Sequence, residues 1–165
     1  MEATVQRLDV AHELSFAQPA FALVRNTSDI IEIFYKTIAP RYPIAVEHIA
    51  VSATNTLSEL LIRIGLFGNR AALELRAERM SLNFPQIVGE DSLRIVKDTV
   101  ALAYDALHTA IPDVRSANAS FAIHAWLALD RGAEAAQEVL RDHANPRALI
   151  DPKQLVARFN QFERI

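Results

Sequence analysis

Two apolar runs meet at Gly68-Asn69, and counting outward from this dipeptide gives a strand pairing that checks itself. Read as a two-residue hairpin loop with glycine first, as a type II′ turn prefers, it sets Phe67 beside Arg70 and Leu66 beside Ala71. Leu66 with Ala71, Ile64 with Leu73, Ile62 with Leu75 and Leu60 with Ala77 then share one face. Gly65 with Ala72, Arg63 with Glu74, Leu61 with Arg76 and Glu59 with Glu78 share the other. One face is a core and the other is largely charged, and a one-residue slip would exchange them. Past Ala77 the apolar parity moves to Met80, Leu82 and Phe84. A β-bulge near Glu78 and Arg79 accounts for the shift, with Pro85 closing the strand.

The same period-two alternation recurs at both ends of this block. From Thr4 to Phe16, Leu8, Val10, Leu14 and Phe16 take even positions against Arg7, Asp9, Glu13 and Ser15. His12 falls on the apolar side. After Asp113, every odd position from Ala117 to Leu129 is apolar, which makes this the clearest strand in the chain. Ile44–Ala53 reads as a further extended piece, with Thr54, Asn55 and Thr56 as a polar break, and Ala20–Arg25 as a short extended continuation after Pro19. Helical spacing takes over elsewhere. Ile30, Phe34 and Ile38 define a helix over about Ser28–Ala39, ended by Pro40 and Pro43. Leu93, Val96, Val100, Ala103, Leu107 and Ile111 define the longest one, introduced by Gly89–Ser92 and stopped by Pro112. Two more are expected at the end: Ala133–Ala144, and a segment capped by Asp151 with Pro152 at its first helical position and Leu155, Phe159 and Phe162 as its inner stripe.

Strand, helix, hairpin block, long helix, long strand and two helices spell an α+β chain. Strands apolar on one side only call for an antiparallel sheet with helices covering one face, because a doubly wound parallel sheet would be apolar on both. Short connections and the absence of any linker or internal repeat make residues 1–165 a single domain. The order of elements resembles a split βαβ arrangement of the ferredoxin-like kind, and the strand at 44–53 equally allows a profilin-like or longin-like order. No function is carried over from these likenesses.

Composition narrows the chemistry. The 165 residues contain no cysteine, which removes disulfide scaffolds, thiolate metal sites and cysteine nucleophiles and permits a reducing, cytoplasmic setting. A 51% apolar share with 22% charged residues describes a folded globular chain, and no apolar run is long enough for a membrane span. The amino-terminal stretch carries Glu2, Arg7 and Asp9 where a signal peptide would be apolar. With 17 basic against 20 acidic residues there is no electrostatic footprint for nucleic acid or acidic membranes. Gly65, Gly68, Gly89 and Gly132 build no phosphate-binding loop, and no paired-histidine zinc motif or serine elbow is present, so no cofactor or metal is expected. Among the scattered histidines, His12 reads as a satisfied core residue, and His108 and His143 as ordinary helix-end residues.

His124 stands apart because it lies two residues from Trp126, the single tryptophan, on the less apolar side of the clearest strand. If that strand joins the hairpin's sheet, His124 and Trp126 share an outer face with Arg63, Glu74 and Arg76, and these five residues are the candidate binding set. The plain alternative is a solvated face with an Arg63–Glu74 ion pair and Trp126 covered by a terminal helix. The reading favoured by the missing chemical motifs is a non-catalytic interaction or assembly module. It would use a sheet face or edge for self-association or a protein partner, without nucleic acid or membrane. The other reading is a small-molecule-binding domain or enzyme with a pocket between sheet and helices and His124 as acid or base.

Overall fold

A computed structural model of the chain describes residues 3–52, 59–87, 90–129 and 157–161. β1 (Ala3–Phe16) leads into α1 (Ala22–Arg25) and α2 (Thr27–Ile38), and a single 3-10 turn (Val46–His48) precedes β2 (Ile49–Ser52). β3 (Leu61–Leu66), β4 (Ala71–Arg76), β5 (Arg79–Ile87), α3 (Glu90–Ala110), β6 (Ser116–Leu129) and β7 (Ala157–Gln161) follow. All strands pair antiparallel in one seven-stranded sheet of order β2-β3-β4-β5-β1-β6-β7. The fold is α+β, with the helices on one face. β5, α3 and β6 form a βαβ crossover whose two strands are separated by β1. This is a split βαβ arrangement, and the strand that follows the first helices lies at the far edge of a four-strand meander that extends the sheet beyond the four strands of the ferredoxin-like order.

The hairpin register is the one expected: Leu66 faces Ala71, Ile64 faces Leu73, Arg63 faces Glu74 and Ile62 faces Leu75. The turn type differs. Gly68 and Asn69 both have positive φ, 66° and 68°, which is the type I′ signature, and Phe67 joins them at 53°. Phe67 is held there by its ring, which packs edge-on against Tyr42 at 5.1 Å and tilted against Phe84 at 6.5 Å. Position 65 is tight: a Cβ there would crowd the end of the Asn69 side chain and lie 3.0 Å from the His48 Cβ, so both would have to shift.

Three expectations are corrected around this block. The parity change after Ala77 is a tight turn between β4 and β5, because Arg76 pairs with Arg79 across Ala77-Glu78. Neither turn residue has positive φ, so no glycine or asparagine marks it. Its carbonyls are instead taken up from elsewhere in the chain, by the Phe16 N–H to Glu78 at 2.8 Å and the Ala20 N–H to Ala77 at 2.7 Å. β5 also runs through Pro85 to Ile87 rather than stopping there, with a bulge opposite Leu8 and Val10 and Gln86 at φ 59°. Residues Ala22–Arg25 are helical rather than extended, and Leu23 is driven into the core with no exposure at all.

The core lies between the helices and the inner sheet face. Ile30, Phe34 and Ile38 of α2 and Val96, Ala103, Ala106 and Leu107 of α3 meet Ile62, Ile64, Leu73, Leu75, Met80, Leu82, Val10 and Leu14. Arg41, just past α2, pairs with Asp98 of α3 and ties the two helices together at the surface. At the other end of the chain, residues 157–161 pair with β6 from Phe121 to Ala125 as a strand, where a helix over Asp151–Phe162 was expected. The expected helix Ala133–Ala144 and the polar break at 54–56 lie outside the described residues. No described helix is long and apolar enough to cross a membrane.

Candidate interaction surface on β6

β1 and β6, 14 residues each, form the longest ladder of the sheet, and its outer face carries the residues that come together around Trp126. Arg7 lies opposite Trp126 and Asp9 opposite His124. The Arg7 guanidinium makes a bidentate pair with Asp9, Nε to Oδ1 at 2.9 Å and Nη2 to Oδ2 at 2.8 Å, and lies 4.4 Å from the Trp126 ring centroid. Asp9 Oδ1 also accepts the Gln86 N–H at 2.8 Å, so the β5 bulge orients the carboxylate. The hydrogen bonds from Arg7 hold the Asp9 carboxyl below the usual carboxylate range against the opposing effect of burial, helped by Gln86 and the charges of Arg7 and His124. Arg7 and Asp9 were not singled out from sequence. Their alternation on β1 was visible, but the strand that would face them was not.

Arg63, Glu74 and Arg76 share this outer face with His124 and Trp126 but do not join them. Glu74 lies on β4, three strand spacings from β6, or about 14 Å before any offset along the strands. Arg63 Nε and Glu74 Oε1 are 3.8 Å apart, a loose cross-strand pair. Arg76 sits opposite Arg79, which in turn pairs with Glu13 at 3.4 Å. The outer face therefore carries the ion pairs Arg7–Asp9, Arg63–Glu74 and Arg79–Glu13, with Arg76 beside Arg79. Asp9, the titratable neighbour of His124, is already engaged by Arg7 and Gln86.

The inner side of the same ladder is different in kind. His12 is 1% exposed and spans three elements. Its Nδ1 is 2.9 Å from the Ser120 carbonyl of β6 and its Nε2 is 3.0 Å from the Tyr104 hydroxyl of α3. A carbonyl can only accept, so Nδ1 carries the proton and Nε2 accepts the Tyr104 O–H. The ring stacks on Phe121, centroids 4.2 Å apart at 25°, and lies 5.6 Å from the Tyr104 ring at 27°. Burial pushes the His12 pKa below its ordinary value, against the Ser120 carbonyl and the Glu13 charge, and likewise raises that of Tyr104. His12 is the satisfied core histidine its parity implied.

Phe121, which covers His12 from the β6 side, is itself 41% exposed, and Ile123 beside it is 40% exposed. Both point to the helix-covered side of the sheet, but among the described residues no helix extends over them. Between Ser116 and Leu129 the strand has no Asp, Glu, Lys or Arg, so its open apolar surface carries none of the charges that normally guard exposed strands. Sequence alternation marked Phe121 and Ile123 as inward-facing and gave no sign that they would be left uncovered.

Chemically, this is an apolar shelf with a histidine clamp beneath it, in an α+β protein whose described helices cover only part of the sheet. Among the described residues no three His, Asp or Glu side chains converge to hold a metal ion. No family model matches the chain, and no curated protein matches it significantly.

Proposed function

We propose that this chain is a non-catalytic protein-interaction module that self-associates through β6. The observation that carries this reading is the half-exposed pair Phe121 and Ile123 on the inner sheet face, beyond the reach of the described helices. A two-fold contact places a patch against its own copy, which is unfavourable for a charged strip and carries no such penalty for the uncharged β6. Aromatic residues at the centre of such a patch supply most of the binding energy.

Sedimentation velocity tests the proposal. The full chain should dimerise at micromolar concentration, and Phe121→Ser with Ile123→Ser should be monomeric with an unchanged circular dichroism spectrum. A wild-type chain that stays monomeric up to about millimolar concentration, corresponding to an association weaker than about 4 kcal/mol, would overturn it.

A further inference from the structure

A second feature lies at the other end of the long ladder and is independent of the β6 shelf. The β1–α1 connection and the α3–β6 connection enclose a cleft of about 780 Å³ lined by residues 17–22, Ile111 and 113–115. Its volume is in the range of small-molecule sites. The two walls are tied together by the Ala17 N–H bonded to the Arg115 carbonyl at 2.8 Å. The Ala20 N–H bonded to Ala77 at 2.7 Å and the fully buried Leu23 hold the first wall to the core. The cleft is thus shaped by the backbone before any ligand arrives.

Its chemistry is of three kinds. Phe21 is 53% exposed, and with Val114 it offers an apolar surface over the buried Ile111. Asp113 and Arg115 supply opposite charges on exposed side chains, and neither side chain has a hydrogen-bonding or ion-pair partner among the described residues. They flank Val114, so their Cα atoms are no more than about 7 Å apart, yet they do not pair with each other. A single anion would be attracted by one and repelled by the other. A ligand with both signs on adjacent atoms would satisfy both.

We propose that this cleft binds a free α-amino acid with an apolar side chain: carboxylate to Arg115, ammonium to Asp113, side chain against Phe21 and Ile111. Arg115 can meet the carboxylate with two parallel N–H donors, and the adjoining ammonium separates a free amino acid from the end of a peptide. The Phe21 ring supplies the face on which an aromatic or branched side chain stacks.

Titration of the full-length, nitrogen-labelled chain with L-phenylalanine, followed by amide NMR shifts, tests this. Saturable shifts are expected at Phe21, Val114 and Arg115. Arg115→Gln and Asp113→Asn should each weaken binding at least about tenfold, equivalent to about 1.4 kcal/mol. N-acetyl-L-phenylalanine, which lacks the ammonium, and L-phenylalanine amide, which lacks the carboxylate, should each bind at least about tenfold more weakly than the free amino acid. Binding of the acetylated compound as tight as that of L-phenylalanine would overturn the proposal by removing Asp113 from recognition. So would the absence of saturable shifts up to about 20 mM ligand, or unchanged affinity in both charge variants.

Discussion

One row of side chains crosses the inner face of five strands: Ile64, Leu73, Leu82, His12 and Phe121, each opposite the next. The first three have no exposure and His12 has 1%, yet Phe121 is 41% exposed. The next row tells the same story on a shorter span, with Phe84 and Val10 each at 4% and Ile123 at 40%. Identical alternation therefore has two outcomes on one face. Under α2 and α3 an inward residue is core, and on β6 the same kind of residue is surface. Alternation decides which way a side chain points, whereas the reach of the helices decides whether anything meets it.

That contrast can be broken most severely on its covered side. Leu73→Ala should cost about 2–5 kcal/mol of unfolding free energy in urea or thermal melts, since it removes buried methyls from the middle of the row. A loss under about 1 kcal/mol would mean that the helix layer is not what holds this half together.

His12 marks the boundary between the two halves and adds a pH signature. Its folded pKa is depressed, so the neutral form is the one the fold prefers. Stability from this group is full above its ordinary value of about 6.5 and is lost as pH falls through that value toward the folded pKa, because the unfolded chain takes up the proton first. His12→Phe should cost about 1–3 kcal/mol at neutral pH by leaving the Ser120 carbonyl and Tyr104 hydroxyl without their partner. It should also flatten the fall in stability expected of wild type as pH drops below about 6.5. Equal slopes in denaturant titrations of the two proteins would remove His12 from this role.

On the open side the effects should be small for the monomer. Phe121→Ser, which also strips the ring stacked on His12, should cost the monomer about 1–2 kcal/mol, less than the Leu73 loss, while abolishing self-association. Calorimetry and sedimentation on one preparation would show it, and a large stability loss without change in assembly would place Phe121 in a core. Smallest of all, Trp126→Ala should cost about 0.5–1 kcal/mol, the worth of the Arg7 contact at a partly exposed site. A double-mutant cycle on Arg63 and Glu74 should return about 0.2–1 kcal/mol, given their 3.8 Å separation.

What the chain reveals on its own is local periodicity. The direction of each side chain in β1, β3, β4 and β6, the register across Gly68-Asn69, the bounds of α2 and α3, and the inward position of His12 all follow from spacing between near neighbours, and spacing survives in a one-dimensional string. The Ala77-Glu78 turn did not follow, because its stabilising partners are the N–H groups of Phe16 and Ala20, some sixty residues away. Nor did the strand at 157–161, where an Asp-Pro cap and helical spacing describe the isolated segment but pairing to β6 describes its surroundings. The outer-face set was legible as a face but not as a cluster. Only the insertion of β1 between β5 and β6 brought Arg7 and Asp9 to Trp126 and His124, and kept Arg63, Glu74 and Arg76 away from them. The exposure of Phe121 is set by how far the described helices, α2 and α3, reach across the sheet, which depends on contacts between distant segments that no local pattern encodes.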